Sequence, residues 1–189
     1  AIASYEKAWQ IYQNKQLTNY DIIEYCLKPL GNLYTVLGDY DSAENTIKQY
    51  FFIVNTTKNY PDAAKQKFAA ILNLSNVYQS SGKISLAIDL LEGTLKTEKL
   101  SNVQKGILLN NLVNSYWLNS KQLVLIKNSP QNAENAFESS IKYLKNEREQ
   151  LETLSNSYRN LASMNRQWLQ FDIANSYMQK AEKLFLETK

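Results

Sequence analysis

Leu30-Gly31-Asn32-Leu33-Tyr34, followed by Leu37-Gly38-Asp39-Tyr40 and then by Ala43, Ile47 and Tyr50, carries the pattern that decides the fold. Apolar residues recur three and four apart on both sides of the Gly-Asp-Tyr break, the spacing of two amphipathic helices joined by a tight turn. Neither helix of such a hairpin can bury its apolar face alone, so the unit predicts copies of itself stacked alongside.

The copies can be aligned. Setting Gly82 on Gly38, an offset of 44 residues, superposes Leu74 on Leu30, Ser75 on Gly31, Tyr78 on Tyr34, Ala87 on Ala43 and Leu91 on Ile47. Leu112, Val113 and Tyr116 repeat the first-helix pattern, Ala133, Phe137 and Ser140 the second-helix pattern, and Leu161, Ala162, Phe171, Ala174, Met178 and Ala181 form a last copy. The chain therefore reads as one repeat domain over residues 1–189. Residues 1–14 are the second helix of a truncated repeat, and the full repeats span 18–57, 61–97, 102–146 and 147–187.

Local signals refine the boundaries. Thr18 or Asn19 can cap the first full hairpin, with Asp21 and Glu24 at the positive end of its dipole. Pro29 falls inside that helix and predicts a kink or short break, because an interior proline removes a backbone hydrogen bond and crowds the preceding turn. Gly38 is free to take positive φ, and Asp41 or Ser42 would cap a helix running from Ser42 to about Thr56. Pro61 suits the first turn of the following helix and Asp62 its dipole. Between the two helices of the third full repeat lies an insertion containing Leu123-Val124-Leu125-Ile126, which either extends a helix over the core or forms an exposed docking strip.

Composition bounds the chemistry. The chain has no His and one Cys, Cys26, so a Ser-His-Asp or Cys-His nucleophile cannot be assembled from it and a Cys/His zinc site lacks ligands. Cys26 lies among Tyr25, Leu27 and Leu30 and reads as a small core hydrophobe. Neither enzymatic activity nor a metal or cofactor is expected. The 21 Lys and Arg against 18 Asp and Glu leave a net charge of +3 spread along the chain, without the clustering a nucleic-acid footprint needs. The largest local excess surrounds Arg159 and Arg166, where the ordinary reading is a solvated helix face. No run approaches the ~20 apolar residues of a membrane span. The N-terminal stretch lacks the basic and apolar regions of a secretion signal, which points to the cytoplasm. It also lacks an initiator Met, so the chain reads as a segment of a longer protein or a processed form.

Leu27, Leu30-Gly31, Tyr34, Ala43 and Ile47, and again Tyr158, Leu161-Ala162, Ala174, Met178 and Ala181, resemble the tetratricopeptide signature. The small residues in it allow close approach of two helix backbones, here Gly31 towards the partner helix near Ala43. The repeat spacing exceeds the common ~34 residues, as in longer helices of the kinesin-light-chain-like kind. The texture of Tyr5-Glu6-Lys7-Ala8-Trp9, of Lys28 to Tyr34 and of Gly38 to Glu44 further resembles the N-terminal repeats of bacterial proteins that end in a caspase-like CHAT protease domain. That resemblance implies a scaffold or sensor, with a catalytic His-Cys pair in a domain absent from this chain.

The implied fold is all-α: a right-handed superhelical solenoid of antiparallel helix hairpins, whose first helices line a concave groove. On those helices Lys28, Asn32, Asn76, Asn110, Asn114, Trp117, Arg159 and Arg166 are the candidate binding residues. Side-chain amides offer donors and acceptors together, so a row of them can hold a peptide backbone; the ordinary alternative is that they pair with neighbouring helices or water. Trp117 and Trp168 equally suit a role as core wedges. Lys28, Asn32 and Asn73 match part of the clamp by which some tetratricopeptide repeats bind a C-terminal carboxylate. Ile107 and Asn111 stand where its basic pair belongs. The expected partner is a protein or peptide, or a downstream domain of the same polypeptide, with a ligand-free spacer as the other possibility.

Overall fold

The computed structural model describes residues 1–15, 21–122 and 129–187. Among these there are nine α-helices and no strand: α1 (Ile2–Lys15), α2 (Lys28–Leu37), α3 (Tyr40–Thr56), α4 (Ala63–Ser80), α5 (Ile84–Thr97), α6 (Asn102–Gln122), α7 (Ser129–Leu144), α8 (Leu151–Gln167) and α9 (Phe171–Glu187). The fold class is all-α, with helices packed against their sequence neighbours within each of two units. No helix of the described residues is long and apolar enough to cross a membrane. Thr18, Asn19 and the Leu123–Ile126 insertion lie outside the described residues.

The chain divides into two compact units, Ala1–Lys83 and Ile84–Lys189, and the division falls inside the 61–97 repeat. In the first unit α2 packs on α3 and α3 on α4, while α1 lies against α2 and the turn preceding it. The repeat pattern marks the core here: α3 buries Ala43, Thr46, Ile47, Tyr50 and Val54, three and four apart. They meet Ile22, Ile23, Cys26 and Leu27 from before α2 and Ala70 and Val77 from α4. Full burial of each large side chain stabilises by about 1.5–3 kcal/mol. Tyr50 is wholly buried and its hydroxyl accepts from Asn73 Nδ2 at 3.1 Å.

Pro29 produces a specific break. Residues Ile23–Leu27 form a π-helical turn, in which Lys28 N–H reaches back to Ile23 O, and α2 then starts with proline in its first two positions. The wider turn accommodates the ring that an α-helical turn would crowd. Gly38 closes α2 at φ 79°, and Asp39, rather than Asp41 or Ser42, caps α3 by accepting from Ser42 N–H at 3.1 Å. Pro61 lies in the turn before α4 and not in its first helical turn, because Asp62 adopts φ 50° and the helix begins only at Ala63.

In the second unit α6 packs on α5, α7 and α8, and α8 on α7 and α9. Two serines bridge close backbone approaches: Ser140 Oγ donates to Gly106 O at 3.2 Å and Ser155 Oγ to Ala181 O at 2.8 Å. Ser101 and Gln104 exchange bonds at the start of α6, Gln104 N–H to Ser101 Oγ and Ser101 N–H to Gln104 Oε1, a reciprocal cap. Of the last copy's packing residues, Ala174 and Ala181 are buried, but Phe171 and Met178 are not, at 55% and 48% exposure. Trp168, expected as a core wedge, is 48% exposed as well. Phe171 and Met178 follow the helical period of α9 yet stay about half exposed, and Trp168 lies in the turn before it.

A recurrent polar contact ties three of the first helices, α2, α4 and α6, to the second helix before them. Tyr34 of α2 donates to Glu6 of α1 at 2.5 Å, Tyr78 of α4 to Glu44 of α3 at 3.4 Å, and Tyr116 of α6 to Glu92 of α5 at 2.5 Å. The Glu6 carboxylate, helped by burial, pushes the Tyr34 phenol up to about 12. Burial and Glu92 raise Tyr116 as well. Lys48 and Lys83 bond Glu44 at 2.6 and 2.9 Å and hold its carboxyl below the usual range.

Candidate functional site

The helical spacing of 110, 111, 114 and 117 brings one face of α6 opposite α8. Between them opens a cavity of about 1020 Å³ whose lining includes Asn110, Asn114, Trp117, Arg159 and Arg166, five of the eight residues singled out from the sequence. The other three, Lys28, Asn32 and Asn76, lie in the first unit. Asn32 and Asn76 are exposed on α2 and α4. Lys28 Nζ is engaged by Glu24 one turn earlier at 2.7 Å.

Two of the amides are set in place by α8. Asn110, 8% exposed, accepts from Ser157 Oγ, and Asn114 Oδ1 accepts from Asn160 Nδ2 at 3.0 Å. Pairing with a neighbouring helix, the ordinary alternative for these asparagines, therefore accounts for one acceptor on each. The same bonds fix the amide planes where they border the cavity. Asn156 lies beside Arg159, whose Nη1 donates to Asn156 Oδ1 at 3.5 Å. Sequence reading omitted Thr153, Asn160 and Gln167, which line the cavity too. They stand three and four residues from Asn156 and Ser163, which line the same cavity, so helical spacing along α8 is the signal that relates them.

The lining is thus rich in amides and hydroxyls and holds two guanidiniums; among its described residues there is no Asp or Glu. Such a surface can bind and orient a polar chain through paired donors and acceptors. Cys26, the chain's one thiol, is fully buried in the first unit, where Sγ donates to Tyr5 O at 3.1 Å and burial raises its pKa. Two residues at carboxylate-clamp positions have local bonds. Asn73 turns to the buried Tyr50 hydroxyl, which needs a partner, and Asn111 Nδ2 donates to Ile107 O at 3.0 Å.

No protein-family model matches the sequence, and no curated protein matches it. Among solved structures the chain is similar to BtubC (BKLC) from P. vanneervenii: TM-score 0.71, 18% identity, covering 97% of this chain and 71% of that one. At that identity the likeness concerns the fold.

Proposed function

We propose that this chain is a tetratricopeptide-like protein-interaction module that holds an extended peptide in the cavity between α6 and α8. The lining of that cavity is the observation that carries the reading: oriented side-chain amides and hydroxyls can satisfy both the N–H and C=O groups of a peptide backbone without demanding one sequence. The same module would serve as the regulatory arm of a CHAT-type protease: the residues resembling that family lie in α1 to α3 of the first unit, and the cavity belongs to the second.

Panning an unbiased displayed-peptide library tests the reading. Peptides enriched by the native chain and lost with Asn114→Ala/Asn156→Ala, but kept with Asn32→Ala/Asn76→Ala, support the cavity. Equal recovery by all three chains removes it, and no enrichment at all supports a spacer.

A further inference from the structure

Arg159 and Arg166 lie seven residues apart on α8, on one face, and both border the cavity. Elsewhere Lys28, Lys48, Lys83 and Lys96 are each engaged by a carboxylate. The two arginines are not: among the described residues neither forms an ion pair, and the 3.5 Å contact to Asn156 is the one side-chain hydrogen bond found for the pair. Glu182 borders a separate cavity between α8 and α9 that Arg159 also lines, without pairing with it. Two exposed guanidiniums therefore face a cavity whose lining holds no negative charge.

The spacing restricts what can answer them. Seven residues of α-helix rise ~10.5 Å. A peptide in the polyproline II conformation rises ~3.1 Å per residue with three residues per turn, so side chains three apart share a face at ~9 Å. Same-face positions of a β-strand fall at ~7 and ~13.5 Å, on either side of that distance, and a helical peptide, whose seven-residue repeat also matches, has its backbone N–H and C=O groups already bonded and leaves none for the amides of the lining. We infer that the occupant of this cavity is an acidic peptide segment in extended, polyproline-like conformation, with two side-chain carboxylates three residues apart, one on Arg159 and one on Arg166. Guanidinium and carboxylate meet through two parallel charge-assisted hydrogen bonds, which gives direction as well as attraction.

This inference rests on the peptide-cavity reading and can fail separately from it. The probes are fluorescein-labelled, Pro-containing peptides with both termini blocked: one with Glu three residues apart, one with Gln at those positions, and one with Glu two residues apart. Their anisotropy is followed with the native chain and with Arg159→Gln, Arg166→Gln and the double variant. The expected result is at least tenfold tighter binding of the three-spaced Glu peptide than of the Gln peptide, a preference that shrinks with added salt. Each single substitution lowers that preference, and the double variant leaves the two peptides equal. Equal affinity of the native chain for the Glu and Gln peptides overturns the inference while leaving the cavity as a peptide site. So does a Glu preference that survives in the double variant. Failure to bind any of the three overturns it too, and if panning also enriches nothing, the peptide-cavity reading falls with it.

Discussion

Gly106→Ala is expected to destabilise the second unit although alanine is the better helix former. A Cβ on Gly106 would lie 2.5 and 2.6 Å from Leu144 Cγ and Cδ2 and 3.0 Å from Tyr143 Cβ. Ordinary carbon contacts begin near 3.5 Å, so Leu144 must retreat by roughly 1 Å. It is fully buried and has no solvent to retreat into. Overpacking of this kind costs ~1–3 kcal/mol, against a helix-propensity gain of ~1 kcal/mol, which leaves a net loss of up to about 2 kcal/mol. Gly93→Ala provides the opposite case: nothing lies within 4 Å of its added Cβ, and it should gain ~0.5–1 kcal/mol. Urea unfolding followed by far-ultraviolet circular dichroism, with a shift of midpoint at constant slope, measures both. A third variant, Gly106→Ala with Leu144→Ala, should lose less than the sum of the two single changes, because the new methyl occupies part of the cavity. A Gly106→Ala chain as stable as the native one, or strict additivity in the double variant, would refute the close approach.

Leu169 takes φ 60° in the turn between α8 and α9, where the earlier turns place Gly38 and Gly82, and it is 74% exposed. Left-handed backbone costs a side-chain-bearing residue ~1–2 kcal/mol, so Leu169→Gly should raise the melting temperature despite the greater freedom of the unfolded chain; no rise would mean the turn is unstrained. Ala43 is fully buried, so Ala43→Leu should cost ~1–3 kcal/mol, and unchanged melting would remove the packing argument. The buried or carboxylate-bonded phenols of Tyr34, Tyr50, Tyr60 and Tyr116 all have raised pKa values. Their folded values lie above the unfolded value of about 10, so their contribution is complete below that pH and declines as pH rises through the folded values. Denaturation midpoints should be insensitive to pH just below about 10 and fall steadily above it, and tyrosinate absorbance appearing in that range without loss of stability would contradict the assignment.

The core positions were legible wherever the signal is local. Gly38 and Gly82 both take positive φ, and Leu30, Ala43, Ile47, Ala87 and Leu91 are buried as their aligned positions require. Gly31 approaches Ile47 and Thr46, with a built Cβ at 3.2 Å from Ile47 Cγ1, one helical turn beyond the Ala43 expected from the pattern. Gly106, the tightest approach, lies off the aligned small position, and its partner Leu144 is distant in sequence, so no local pattern announces it. Phe171 and Met178 mark an apolar face, but periodicity does not say whether another element covers that face. At the candidate site, helical spacing placed Asn110, Asn114 and Trp117 together; that α8 supplies Ser157 and Asn160 depends on a neighbour more than forty residues away.

The phenol-to-carboxylate contact repeated at Tyr34–Glu6, Tyr78–Glu44 and Tyr116–Glu92 has a directional consequence. The donor always sits on the later helix and the acceptor on the earlier one, so hairpins carrying both halves can join head to tail, whereas reversing one would set donor against donor. A tandem duplication of such a hairpin, inserted in frame, should therefore be accepted between its neighbours without redesign, since it brings the missing half for each side. Growth of the array by copying would then be a matter of polarity, set by where one hydroxyl and one carboxylate are placed.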